Sequence, residues 1–161
     1  MPYWYLIMLV CLADQAVKLY IQVNLAPYQS INLLPDWFSI THVMNYGAAF
    51  GIMQSQTVIL TAVALGTFVF IWWKRRKIRH YSVWFQIGIA VALGGALGNC
   101  IDRLRQGYVV DFIDVHFWPI FNIADIAIIG GVGAIVIGML YQKRQRRQKC
   151  EFDLERKIDS P

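Results

Sequence analysis

Four apolar stretches of membrane-crossing length constrain this chain more than any other feature. They run over residues 3–23, 57–73, 83–101 and 123–141. A helix needs ~20 residues at ~1.5 Å rise to cross ~30 Å of hydrocarbon, so the second stretch is slightly short and the others fit. Buried helices of a soluble bundle would carry polar faces, which these segments lack. Of the 161 residues, 57% are hydrophobic and 16% charged, with mean hydropathy +0.44, which suits one compact membrane domain. The predicted fold class is an α-helical integral membrane protein with four transmembrane helices. The first stretch contains Asp14 and Lys18, has no basic residue before it and no small-x-small site after it, so it is expected to be a retained span.

Basic residues set the expected orientation. Lys74, Arg75, Arg76, Lys77 and Arg79 lie between spans two and three, and Lys143, Arg144, Arg146, Arg147, Lys149, Arg156 and Lys157 follow span four. Residues 24–56 contain no Lys or Arg, and 102–122 contain only Arg103 and Arg105. The positive-inside rule puts both termini and loop 74–82 in the cytoplasm. The net charge of +5 then describes a basic inner surface facing anionic lipid, and because these residues are juxtamembrane, no nucleic-acid partner is expected. Residues 1–143 are expected to form the membrane domain and 144–161 a charged cytoplasmic tail, disordered towards its far end.

Two segments on the opposite side look extended. Residues 28–51 are rich in β-branched and aromatic types around Pro35-Asp36, which predicts a short hairpin turning there. Residues 108–119 also read as extended, with Phe117 and Trp118 suited to the membrane interface. Together they predict a small extracytoplasmic β-platform. Cys11, Cys100 and Cys150 lie at different depths and form no disulfide or zinc framework, so they are expected to pack.

The acids are distributed unevenly. Glu151, Asp153, Glu155 and Asp159 belong to the tail, while Asp14, Asp36, Asp102, Asp111, Asp114 and Asp125 all fall towards the outer leaflet. Several have plain structural roles available. Asp14 and Lys18 are spaced i,i+4 and suit a helical ion pair, Asp36 suits the turn, Asp102 and Arg103 suit an interfacial charge pair, and Asp114 suits solvent. Asn122 is placed to cap span four, and Asp125 in its first turn favours the helix dipole. Capping does not require other acids nearby, however. Gly94 and Gly98 in G-x-x-x-G spacing, with Gly130, Ala134 and Gly138 in span four, predict close helix approach that draws Asp102 and Asp125 together.

The available chemistry is limited. No H-E-x-x-H occurs, His42, His80 and His116 are far apart, and no nucleotide loop is present, so neither metal nor cofactor is expected. Lys18 is the only lysine away from the cytoplasmic face, and neither Ser39 nor Ser55 offers it a supporting motif. Paired carboxylates remain. Two close aspartates do not both ionise cheaply, so one keeps a proton, which supplies a base for water and an acid for a carbonyl.

Five motifs in order carry a family resemblance. They are Asp14-Gln15-x-x-Lys18, Asn45-Tyr46-Gly47-Ala48-Ala49-Phe50, Gly94-Gly95-Ala96-x-Gly98-Asn99-x-x-Asp102-Arg103, Val109-Val110-Asp111-Phe112 and Phe121-Asn122-x-Ala124-Asp125. They resemble bacterial lipoprotein signal peptidase (type II signal peptidase) from span one to span four. Ile126 stands where that family commonly has Ser or Thr, and the loop from Asp111 to Asp125 is short for it. The resemblance implies an aspartic endopeptidase of the bacterial cytoplasmic membrane, acting at its outer face. It would cleave diacylglyceryl-modified prolipoproteins before the lipidated cysteine, in a cleft open to lipid. Asp111 and Asp125 match the catalytic pair. Asn99, Arg103 and Asn122 match polar residues lining the site, and Asn45 lies in the motif beside it. Asp14 and Lys18 match a pair near the centre, and Asp102, Gly47 and Gly98 match structural positions around it. No metal and no obligate protein partner are implied. A proton or ion translocator using an aspartate relay is the alternative, but it calls for acids through the membrane depth, and the inner halves of spans two to four have none. A non-catalytic membrane subunit would leave the convergence of acids unexplained.

Overall fold

The computed structural model describes residues 3–47 and 57–158. The Ala48-Ala49-Phe50 part of the second motif and the last three residues of the tail lie outside them.

Each apolar stretch is one helix. Helix α1 spans Trp4–Asn24, α2 Thr57–Ile78, α3 Val83–Gln106 and α4 Ile123–Ile158. All four are long and apolar enough to cross a membrane. The short second stretch gains length by running on through its basic residues, and 22 residues make about 33 Å of helix at ~1.5 Å each. At that basic end Lys74 Nζ sits 3.9 Å from the Trp73 ring centroid and Arg75 lies 4.4 Å from that of Trp72, cations resting on interface aromatics. Helix α3 starts on Ser82, whose hydroxyl accepts from Phe85 N, and ends where Gly107 takes φ 81°, a left-handed C-cap favoured by glycine. As far as Ile158 the tail is helical, not disordered, and its last three residues lie outside the described ones. It extends α4 to Ile158, because after Gly138 it contains good helix formers and no Gly or Pro before Pro161. An exposed Arg147–Glu151 pair at 3.1 Å supports it at i,i+4 spacing.

The outer segments form the expected platform, a three-stranded antiparallel sheet in the order β1 (Ser30–Leu34), β2 (Phe38–Asn45), β3 (Val109–Asp114). Asp36 makes the hairpin turn at φ 64°. Successive β3 side chains point to opposite faces. Val110 and Phe112 join Ile21 of α1 and its C-cap Leu25 in a buried cluster, and Asp111 between them turns the other way, towards the start of α4.

Glycines fix how the helices meet, though not in the expected pairing. A Cβ on Gly88 or Gly95 of α3 would collide with the α4 backbone, and one on Gly131 with α3. Gly94 and Gly98 face α1 instead, against Val10 and Asp14. Gly130 has open space around it, so the α4 small face runs through Ala124, Gly131 and Gly138. The G-x-x-x-G pair thus brings Asp14, not Asp125, up to α3.

Candidate active site

The start of α4 holds the centre of the site. Asn122 Oδ1 accepts from Asp125 N at 3.0 Å while Asp125 Oδ2 accepts from Asn122 N at 3.2 Å, a reciprocal capping box. The expected cap is therefore present, and it fixes the Asp125 side chain. Asp125 Oδ1 also accepts from Asn99 Nδ2 on α3 at 2.9 Å. Asp111 reaches the same place from β3. Its two oxygens accept from Asn122 Nδ2 at 2.6 Å and from Asn45 Nδ2, at the end of β2, at 2.7 Å. Asn122 thus donates to one acid and caps the helix that carries the other. Among the described residues no basic group lies within ion-pairing distance of either carboxylate.

Asp111 is 2% exposed. Burial pushes its carboxyl up to about 7, and the negative charge of Asp125 pushes the same way. The amides of Asn45 and Asn122, and Lys18 beyond them, pull it down by less.

A second acidic cluster lies behind the first. Lys18 is 1% exposed and makes three short contacts, to Asp14 Oδ2 at 2.9 Å, Asp102 Oδ2 at 2.8 Å and Asn99 Oδ1 at 2.8 Å. The expected Asp14–Lys18 pair forms, and Asp102 joins it instead of pairing with its sequence neighbour Arg103. The remaining Asp14 oxygen accepts from Ala124 N at 2.9 Å, so a carboxylate on α1 helps cap α4. Asp102 also accepts from Val110 N at 3.3 Å and from Gln15 Nε2 at 2.9 Å. The cluster ties α1, α3, β3 and α4 together at one level.

Asp111 and Asp125 face a pocket of about 390 Å³ shared with Asn45, Gly47, Asn99 and Arg103. Arg103 donates to Asn99 O and Gly47 O, at 3.5 and 3.3 Å, and its buried Nε has no partner among the described residues. The rest of the lining is apolar, from Val109, the segment Trp118–Phe121, and Ile126, Ile128 and Ile129 of α4. Ile126 and Ile129 are 51% and 69% exposed on the helix flank, so the pocket opens towards the lipid-facing side. Every sequence-predicted site residue falls in the pocket or in the cluster behind it, with Gly98 packed on Asp14.

Two contributors were not singled out from the sequence. Gln15 bonds Asp102 and Gly98 O, and its signal was an amide beside Asp14 in an otherwise apolar span. Trp118 read only as an interface residue and Phe121 only as a motif position, yet the segment Trp118–Phe121 builds one wall of the pocket.

Fold and comparisons together define a class, an integral membrane peptidase, and its pocket holds two carboxylates, the group that aspartic peptidases use. The chain belongs to the signal peptidase (SPase) II family, whose pattern matches residues 6–141. It is 42% identical over 132 residues to the lipoprotein signal peptidase of Moorella thermoacetica, covering 82% of this chain and 88% of that one. It is 38% identical over 146 residues to that of Desulfitobacterium hafniense (strain DSM 10664 / DCB-2), covering 90% and 97%. A solved bacterial membrane enzyme structure, obtained by the in meso method at 2.3 Å resolution, superposes with a TM-score of 0.81 at 32% identity, covering 88% of this chain and 89% of that chain.

Proposed function

We propose that this protein removes signal peptides from diacylglyceryl-modified prolipoproteins, cutting just before the lipidated cysteine, with Asp111 and Asp125 as its catalytic pair. One observation carries the assignment. Two acids from different elements, held by asparagine amides, face one pocket beside a wall of α4 that opens towards lipid. Arg103 is in the same lining, and among the described residues no cation is within ion-pairing distance of either acid. Family membership supports a prolipoprotein substrate, and the apolar pocket suits a lipid-anchored one. A lipid-anchored precursor presents its scissile bond at the membrane–water boundary, where water is available and the bulk dielectric is not.

The buried Asp111 holds the shared proton and Asp125 acts as base. Asp125 takes a proton from a water whose oxygen attacks the scissile carbonyl carbon, while Asp111 gives its proton to the carbonyl oxygen. The resulting diol collapses as the peptide nitrogen takes the proton from Asp125 and a diol hydroxyl returns one to Asp111. The C–N bond breaks, a carboxylic acid and an amine leave, and the pair again holds one proton. The side chains of Asn45, Asn99 and Asn122 keep both carboxylates in position. No metal or cofactor enters this scheme.

The setting is the bacterial cytoplasmic membrane, with both termini inside and the pocket outside, an orientation supported by the basic loop 74–82 and the basic extension of α4. Reporter fusions at Ser30 or Gln106 are expected to read external and those at Arg76 or Lys149 cytoplasmic. The functional test is cleavage by purified protein of a diacylglyceryl-modified precursor beside its unmodified thiol form. Cutting of the modified form with the thiol form left largely intact supports the reading, and equal rates on both overturn its lipid selectivity.

A further inference from the structure

Two fixings flank the pocket wall Trp118–Phe121. At its far end Phe121 pairs with Ile113 of β3 through N–H···O contacts of 3.1 and 2.8 Å. At its near end is His116, whose Nε2 lies 2.9 Å from Ser39 Oγ on β2. Ser39 is buried, and its hydroxyl proton goes to Asn32 Oδ1 on β1 at 2.7 Å. The Ser39 oxygen is therefore free to accept, and His116 Nε2–H is the donor. The backbone agrees. His116 takes φ 63°, a left-handed conformation that among non-glycine residues is found mostly at asparagine, aspartate and histidine. It is held there by Asp114 Oδ1 accepting from His116 N at 2.9 Å, and Asp114 Oδ2 accepts in turn from Thr41 Oγ1 at 3.3 Å. Ser39 and Thr41 are two apart on one strand and so share a face. The turn is pinned to β2 at two points by side chains that take no part in the proposed chemistry.

We infer that His116, through its bond to Ser39, is a latch that positions the Trp118–Phe121 wall for the apolar part of the substrate. His116 and Ser39 act here as positioning residues. Trp118 and Ile120 share the pocket lining with Ile126 and Ile129, so a slack wall weakens apolar binding and leaves the acids where they are. The kinetic side of this inference rests on the substrate proposed above, and the structural side does not.

Two measurements test it. Hydrogen–deuterium exchange on the full chain in nanodiscs is expected to show faster exchange over 115–121 in His116→Ala than in the parent, with the helices unchanged. Kinetics on the lipid-modified precursor are expected to show KM raised about fivefold, the loss of roughly one hydrogen bond, with kcat nearly constant. His116→Gln keeps an N–H donor at a similar reach and should restore most of both. Ser39→Ala combined with His116→Ala should be hardly worse than His116→Ala alone. Unchanged exchange over 115–121 overturns the latch, and so does faster exchange with KM unmoved or with kcat carrying the loss. If the parent protein cuts no lipid-modified precursor, the proposed substrate fails, and exchange still decides whether His116 holds the wall.

Discussion

Asp14 and Asp102 on one side, and Asp111 and the half-buried Asp125 on the other, are two pairs of the same residue type joined through Asn99. The first pair shares Lys18, whose three donors are taken up by Asp14, Asp102 and Asn99. Among the described residues, the second pair receives side-chain hydrogen bonds only from the amides of Asn45, Asn99 and Asn122. Burying a carboxylate is costly, and a cation at hydrogen-bond distance offsets that cost by fixing the charge. Amides hold an acid in place without neutralising it. Lys18 therefore ties Asp14 and Asp102 into a clamp, while Asp111, held by amides and pushed up to about 7 by burial and by the charge of Asp125, is left chemically poised. Identical side chains diverge because one pair is in direct contact with a lysine, while among the described residues the other is bonded only by amides.

The largest effect expected from this contrast is on activity. Asp111→Asn and Asp125→Asn should each lower cleavage by roughly a thousandfold or more, and the double substitution should add little, because the pair acts as a unit. Stability should move the opposite way for Asp111. Its carboxyl sits at about 7 in the folded chain against 3.8 ordinarily, so the folded state loses stability from this group as pH rises between those values. Asp111→Asn removes that loss and should raise the melting temperature at pH 8, with the gain disappearing below about pH 4. Asp14→Asn or Asp102→Asn should lower it, and equal behaviour of the two pairs would end the distinction.

Next in size is the clamp itself. Lys18→Met leaves two buried carboxylates without their cation and should destabilise the protein by about 3–5 kcal/mol in detergent denaturation. Adding Asp14→Asn and Asp102→Asn should recover much of it. If Lys18→Met alone were neutral, Lys18 would not be neutralising the cluster. Gly98→Ala comes after it. The new methyl would press on Asp14 Oδ2, and overpacking of that kind costs roughly 1–3 kcal/mol, whereas Gly130→Ala, with open space around it, should cost nothing measurable. The smallest expected effect belongs to Asn45→Ala. Removing an amide that favours the Asp111 anion should move the alkaline limb of the pH–rate profile upward by under about one pH unit.

Much of this arrangement is legible in the sequence, and the parts that are not share a cause. Span length follows from apolar run length. The hairpin follows from Pro35-Asp36, and the capping box from Asn122 and Asp125 three apart. Each of these is a local rule. What the residues alone do not carry is rotation of one helix against another. Small residues lie on two faces of α3, and the spacing of Gly94 and Gly98 does not say which neighbour they meet. The same holds for Asp102. Arg103 is its neighbour in the chain, but a helix points adjacent side chains apart, and Lys18 on α1 faces it instead. The wall Trp118–Phe121 was hidden because aromatic residues near a span end suit the interface whether or not they line a cavity.

The most direct test of the contrast is an infrared titration of the whole protein in lipid, following the carbonyl stretch of protonated carboxyl groups. A band that fades as pH rises through about 7, is lost in Asp111→Asn with Asp125→Asn, and survives Asp14→Asn or Asp102→Asn is the expected result. A band that persists without Asp111 and Asp125, or one that disappears with Asp14 or Asp102, would put the proton in the Lys18 cluster and contradict the account.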